Sequence, residues 1–181
     1  VKLALIGLPG SGKSTIASIM SSVFKCGHID VTYRLKEHWA ENGRIIEEQI
    51  KRLVNRYIDD SVINYILDGY PNSIAQYEGI ENKPDLVIYL KMLDNTELVE
   101  RLTARDGYEG TPFMENIIQD FYSHTEPLIK FLKDRNKIAT VYGDFNVGKV
   151  LGKTALALSA HKVVDVDNYI ADLIKQHNKF K

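Results

Sequence analysis

Apolar positions along the chain fall into two patterns that alternate. Short runs with closely spaced apolar residues span Lys2 to Ile6, Tyr65 to Asp68, Asp85 to Lys91 and Lys137 to Tyr142, with a shorter piece at Gly27 to Asp30. Such runs suit strands buried on both faces of a parallel sheet. Longer stretches between them place apolar residues at helical spacing. They predict helices over Ser14 to Phe24, Thr32 to Glu41 and, after an interruption at Gly43, Arg44 to Asp59 with Ile46, Ile50, Leu53, Tyr57 and Ile58 on one face. A helix from Asn95 to Arg105 is expected to start on an Asp94 or Asn95 cap and to turn Leu98, Val99 and Leu102 inward. Glu115 to Lys133, Val147 to His161 and Val166 to His177 complete the helices, and a polar tail follows. Strands alternating with helices predict an α/β fold with a mostly parallel sheet. No proline-rich or low-complexity linker divides the 181 residues, so residues 1–181 read as one domain.

Composition narrows the functional classes. With 44% hydrophobic and 26% charged residues and a net charge of −1, nothing marks a nucleic-acid or membrane-surface partner, either of which needs clustered Lys and Arg. The longest apolar runs, Leu3 to Leu8 and Leu86 to Leu90, are far too short to span a bilayer. A strand pattern opening at Lys2 leaves no signal or transit peptide to expect, and the single cysteine, Cys26, fits a reducing cytoplasm. Cys26 reads as a small packed residue at a helix end, and Trp39 as a core residue of the second helix. The pattern assigns no oligomeric state. His38, His124, His161 and His177 show no metal-ligand spacing with one another or with Cys26.

The sharpest chemical signal is Gly7-Leu8-Pro9-Gly10-Ser11-Gly12-Lys13-Ser14-Thr15, which satisfies G-x-x-x-x-G-K-[ST] between a predicted strand and a predicted helix. Glycines at 7, 10 and 12 let backbone N–H groups of the loop converge on phosphate oxygens, and the helix start adds its positive dipole end. Lys13 is placed for the β and γ phosphates of ATP and the Ser14 hydroxyl for Mg²⁺.

Further motifs stand in order behind this loop. From Tyr65 the chain reads YILDGYPNSIAQYEGI, later DLVIYLKMLDNTELVERLTAR, then HTEPLIKFL and a short strand ending at Gly143-Asp144. With GLPGSGKST at the start, these stretches resemble the adenylate kinases and related nucleoside monophosphate kinases over roughly residues 1 to 150. The resemblance implies a five-stranded parallel sheet, an acceptor-binding helical insert at about 31–60, and a lid at about 105–113. It implies phosphoryl transfer from ATP to a nucleoside monophosphate, AMP first, with Mg²⁺. It further implies that Asp68 holds the water shell of Mg²⁺, that Arg101 and Arg105 face the phosphates, and that Gln76 reads the acceptor base beside Tyr70. Without it, Asp68 suits a turn, and Tyr70, Gln76 and the two arginines suit packing or surface roles.

The chain departs from the family pattern on the acceptor side. The arginine expected after DGYP is Asn72, the helix after the lid offers Ile117, and the TGDxLR signature aligns with VTYRLK, leaving Lys36 or the nearby Arg34 as its cation. Guanidinium forks match phosphate oxygens, so these losses weigh against fast AMP turnover. Asp30 reads first as a helix cap. A second reading makes it the base of a kinase for a small hydroxyl compound, resembling the shikimate or gluconate kinases, and a third makes the protein a nucleotide binder with weak or no turnover. The stretch from Leu151, LGKTALALSAHKVVDVDNYIADLI, faintly resembles a second phosphate loop, but Gly148 and Gly152 lack the spacing, and two packed helices are preferred.

Overall fold

In the computed structural model, residues 1–43, 46–61, 63–106 and 111–164 are described, without the side chains of 95, 105, 106 and 111–114. The strands β1 (Lys2–Ile6), β2 (Gly27–Asp30), β3 (Tyr65–Asp68), β4 (Leu86–Lys91) and β5 (Ile138–Tyr142) form one sheet in the order β2-β3-β1-β4-β5. All four pairings are parallel, with Ala4 opposite both Leu67 and Val87. The helices are α1 (Lys13–Phe24), α2 (Val31–Asn42), α3 (Glu47–Asp60), α4 (Ile74–Gly79), α5 (Asn95–Asp106), α6 (Thr111–Lys133) and α7 (Val147–Ala160).

Alternation along the strands divides the core into two layers. Ala4 and Ile6 of β1 join Tyr65, Leu67, Val87 and Tyr89 on one face, where they meet Val54, Ile58, Leu98, Phe121 and Leu128 from α3, α5 and α6. Leu3 and Leu5 join Ile66, Leu86, Ile88 and Leu90 on the other, beneath Ile16, Met20, Leu151 and Leu158 from α1 and α7. Each central strand is thus buried on both faces, which is why its sequence is apolar almost throughout.

Three expectations change. Trp39 is 55% exposed, not in the core, because α2 buries only its first residue, Val31, and projects away from the sheet. Ile46 is 66% exposed, since α3 begins after it, where the Gln49 side chain accepts from the Ile46 N–H at 2.9 Å. The inward face of α3 buries Val54 and Ile58, with Ile50 and Tyr57 of the expected set partly buried against the same layer. A short helix, α4, lies where only motif residues were read, and Ser73 caps it by accepting from the Gln76 N–H at 3.2 Å. The Lys153-Thr154 pair sits inside α7, with the Thr154 hydroxyl donating to the Val150 carbonyl, so the pair lies in helix and not in a phosphate loop. The expected last helix, Val166 to His177, and residues 107–110 of the expected lid lie outside the described residues.

Candidate functional site

The sheet order reverses direction about β1, and the chain leaves β1 directly into the phosphate-loop motif. Open parallel sheets place ligands at this kind of crevice, beyond the carboxyl ends of the strands. A cavity of about 830 Å³ occupies it. Its lining runs from Asp30 and Thr32 behind β2, through residues 9–16 behind β1, to Gly143, Phe145 and Val147 behind β5.

The loop is shaped by backbone conformations that only glycine adopts easily. Gly7, Gly10 and Gly12 have φ of 151°, 82° and 92°. At Gly7 space is lacking as well, since a Cβ would stand 2.4 Å from the Leu90 carbonyl oxygen and 2.9 Å from Ser11 Oγ. Gly143 closes the loop from the β5 side, where a Cβ would come within 2.9 Å of the Ser11 carbonyl oxygen. Ser11 Oγ is buried and has no hydrogen-bond partner, the one such side-chain atom among the described residues. A buried hydroxyl left this way costs about 1–3 kcal/mol, which a bound acceptor oxygen would recover. Cradle and orphaned hydroxyl together fit a phosphate group.

Lys13 opens α1, and its Nζ donates to the carbonyls of Gly7 and Leu8, 2.9 Å each, so the ammonium folds back across the loop. Arg101, from α5, reaches the same loop. Its Nη1 donates to the Gly10 carbonyl at 3.3 Å, while Nη2 pairs with Glu97 one helical turn away. Leu98 and Leu102 hold α5 against the loop, lying within 3.0–3.3 Å of where a Gly10 Cβ would be. Asp68 ends β3, is 2% exposed and lines the cavity. Asp30 lines it too, register partner of Asp68, with Oδ1 capping α2 by accepting from the Tyr33 N–H at 2.9 Å.

The predicted acceptor residues divide. Lys36 lines the cavity, as does Ile117 at the position where the family pattern has an arginine. Arg34 instead lays its guanidinium over the Tyr57 ring, 4.8 Å from the centroid. Tyr70 is buried, and burial, with a smaller push from Glu47, raises its phenol well above the ordinary value. Gln76 accepts from the Asn72 N–H at 2.7 Å, and Asn72 Nδ2 donates to the Gly69 carbonyl at 2.9 Å, so both build the turn after β3. The Arg105 side chain lies outside the described residues.

Several site residues had no signature in the sequence reading. His28 Nε2 lies 3.3 Å from Asp68 Oδ2, a contact made by the β2–β3 register, and Phe145 stands 38% exposed at the cavity with Lys149 and Lys153 flanking its ring. Ser73-x-x-Gln76, by contrast, is a capping signature that predicts α4 from sequence alone. Cys26 takes no part, and burial pushes its thiol up.

Among the described residues no three His, Cys, Asp or Glu side chains gather to hold a metal. Mg²⁺ in nucleotide sites takes one or two protein oxygens plus phosphate and water, so the Ser14 hydroxyl and Asp68, which line one cavity, fit that lighter demand.

No family model matches the chain. Curated proteins do. An adenylate kinase of Nocardioides sp. is 30% identical over 186 residues, covering 87% of this chain and 97% of the relative. One from Trichodesmium erythraeum is 30% identical, covering 80% and 90%, and one from Xanthomonas campestris pv. campestris is 27% identical, covering 87% and 99%. Similarity that spans nearly the whole of those relatives, on a five-stranded parallel sheet with the phosphate loop at its centre, places this chain in the adenylate kinase family.

Proposed function

We propose that the protein transfers the γ-phosphoryl group of ATP to a nucleoside monophosphate, AMP first, and does so slowly. The observation that carries this reading is the meeting of Lys13, Arg101 and Asp68 around one cavity at the phosphate loop. ATP lies with its phosphates in the loop and its base toward Phe145 and Val147, on the β5 side. Its acceptor enters from α2, past Lys36. An oxygen of the acceptor phosphate attacks the γ-phosphorus in line as the bond to the β–γ bridging oxygen breaks, leaving ADP and a nucleoside diphosphate. Catalysis of this kind is mostly positioning and charge stabilisation. Lys13 and Arg101 supply positive charge to the transferring group, and Arg105 joins them in this reading. Mg²⁺ arriving with ATP supplies neutralisation of the β and γ oxygens, with Ser14 and Asp68 as its protein side. The helices over 31–60 form the acceptor insert, and residues 105–113 the lid.

Slowness follows from the acceptor side. Hydrogen bonds to a charged group contribute roughly 1.5–3 kcal/mol each. Loss of two phosphate-binding arginines therefore lowers acceptor use by ~10²- to 10⁴-fold. Asn72→Arg gives up one turn hydrogen bond to Gly69 and regains part of that contact. AMP use by the variant, read as kcat/KM for ADP formation, should rise above wild type. No gain would remove AMP from the family's docking orientation. A second reading, transfer to a small hydroxyl compound, draws on Asp30, whose carboxylate lines the cavity one strand from Asp68. Loss of all transfer to such a compound in Asp30→Asn, with ATP binding retained, supports it.

A further inference from the structure

Asp68 ends β3 and is one of the residues lining the cavity, yet only 2% of it is exposed. A buried carboxylate is costly unless its lone pairs are met. One side of this need is met by His28, whose Nε2 stands 3.3 Å from Oδ2. An ionised carboxylate can only accept, so the tautomer of His28 that bonds to it is the one with its proton on Nε2. The contact depends on the pairing of β2 with β3. That register sets His28 opposite Ile66 and Asp30 opposite Asp68, so the ring crosses two residues along the edge strand to reach the carboxylate. The two partners are unequal in exposure. His28 keeps 26% of its side chain accessible and Asp68 3%, so the ring is the more exposed member of the pair.

Nothing in an aspartate itself fixes the plane of its carboxylate, because rotation about the last side-chain bond is broad. The His28 contact at Oδ2, at 3.3 Å, restrains that plane. We propose that His28 is a positioning residue for the metal side of the site: it fixes the Asp68 carboxylate so that the oxygen not held by the ring is presented to the water shell of ATP-bound Mg²⁺. This rests on the reading of Asp68 given above. Partners that orient a metal-facing group typically cost 10–100-fold in metal affinity when removed, so the expected loss here is about tenfold.

The test compares calorimetric Kd values for ATP with Mg²⁺ and for ATP in excess chelator, taking their ratio as the metal's contribution. Wild type should bind the metal complex more tightly. Asp68→Asn should lose most of that preference. His28→Ala and His28→Phe, the second of which keeps the ring's bulk without a donor, should each lose about tenfold of it while metal-free ATP binds as before. His28→Gln, which keeps an N–H donor, should retain most of the preference. Thermal unfolding of each variant confirms that it is folded. A wild-type ratio in both donor-free variants, with Asp68→Asn collapsed, overturns the role of His28 and leaves Asp68 standing. Equal loss of metal-free and metal-bound affinity in those variants also overturns it, since His28 would then only support the fold. An unchanged ratio in Asp68→Asn overturns the reading of Asp68 itself.

Discussion

Lys13 is the residue on which the proposed nucleotide binding turns. Its ammonium already spans the loop, bonded to the carbonyls of Gly7 and Leu8, so it needs only to shift its donors to meet the β and γ oxygens. Lys13→Ala removes both the loop's own brace and the charge that replaces phosphate hydration. ATP affinity, measured by calorimetry, should fall by roughly tenfold or more, the scale of one charge-assisted contact. Unchanged affinity would place the nucleotide elsewhere. At this scale the backbone shape of the loop was legible, because four fixed residues, Gly7, Gly12, Lys13 and Ser14, stand at fixed spacing over eight positions. The acceptor side was not. Sequence offers Lys36 or the nearby Arg34 as the acceptor-side cation without separating them; the guanidinium of Arg34 lies over Tyr57, a contact set by how α2 and α3 fold together. The contact of His28 with Asp68 has no sequence signal for a similar reason, since only the pairing of two strands brings the two together.

At the scale of elements, α5 ties the core to the site. Leu98 is fully buried and touches the loop at Gly10, while Arg101, one turn on, reaches the Gly10 carbonyl. Leu98→Ala should therefore lower the unfolding free energy by about 2–5 kcal/mol, the usual cost of a buried leucine-to-alanine change. Denaturant unfolding should show a lower midpoint with an unchanged slope. A loss below ~0.5 kcal/mol would mean that α5 is not packed as described. Strands were the most legible elements, since runs buried on two faces leave few polar interruptions; β1, β2 and β3 begin and end where the pattern put them. Helix starts were less so. The α3 start depends on the Gln49 side chain meeting the Ile46 N–H, a local competition that apolar spacing does not report. Trp39 misled because α2 has the spacing of a packed helix but little of the protein behind it.

The whole molecule is two apolar layers on one parallel sheet, with the site along the carboxyl edge of the strands. No helix among the described residues is long and apolar enough to cross a membrane. Tyr65, Tyr70, Tyr77 and Tyr89 are buried in this body, and burial raises the phenol of each. Burial raises the phenols of Tyr65 and Tyr70 far above their ordinary range and pushes that of Tyr89 up to about 12. The unfolded chain ionises these groups near pH 10, whereas the folded chain keeps its protons. Above pH 10 the unfolded state thus binds fewer protons, and stability falls as pH rises toward 12. Denaturant midpoints should be insensitive to these groups below pH 9 and drop steeply above about 10. A flat profile to pH 12 would contradict the burial of these rings. The alternation of strand and helix predicted the parallel sheet, but strand order came only with the fold, and with it the path of the cavity from β2 to β5.

The central claim is that this site moves a phosphoryl group from ATP to a nucleoside monophosphate. The most direct measurement follows label from γ-phosphate-labelled ATP into nucleoside diphosphate, with Mg²⁺ and each common nucleoside monophosphate in turn, for wild type and Lys13→Ala side by side. Wild type should label at least one acceptor, AMP first, at a rate well below the enzyme median of about 10 s⁻¹, and Lys13→Ala should label none. Absence of labelled diphosphate with every acceptor, or equal labelling by Lys13→Ala, would contradict the account.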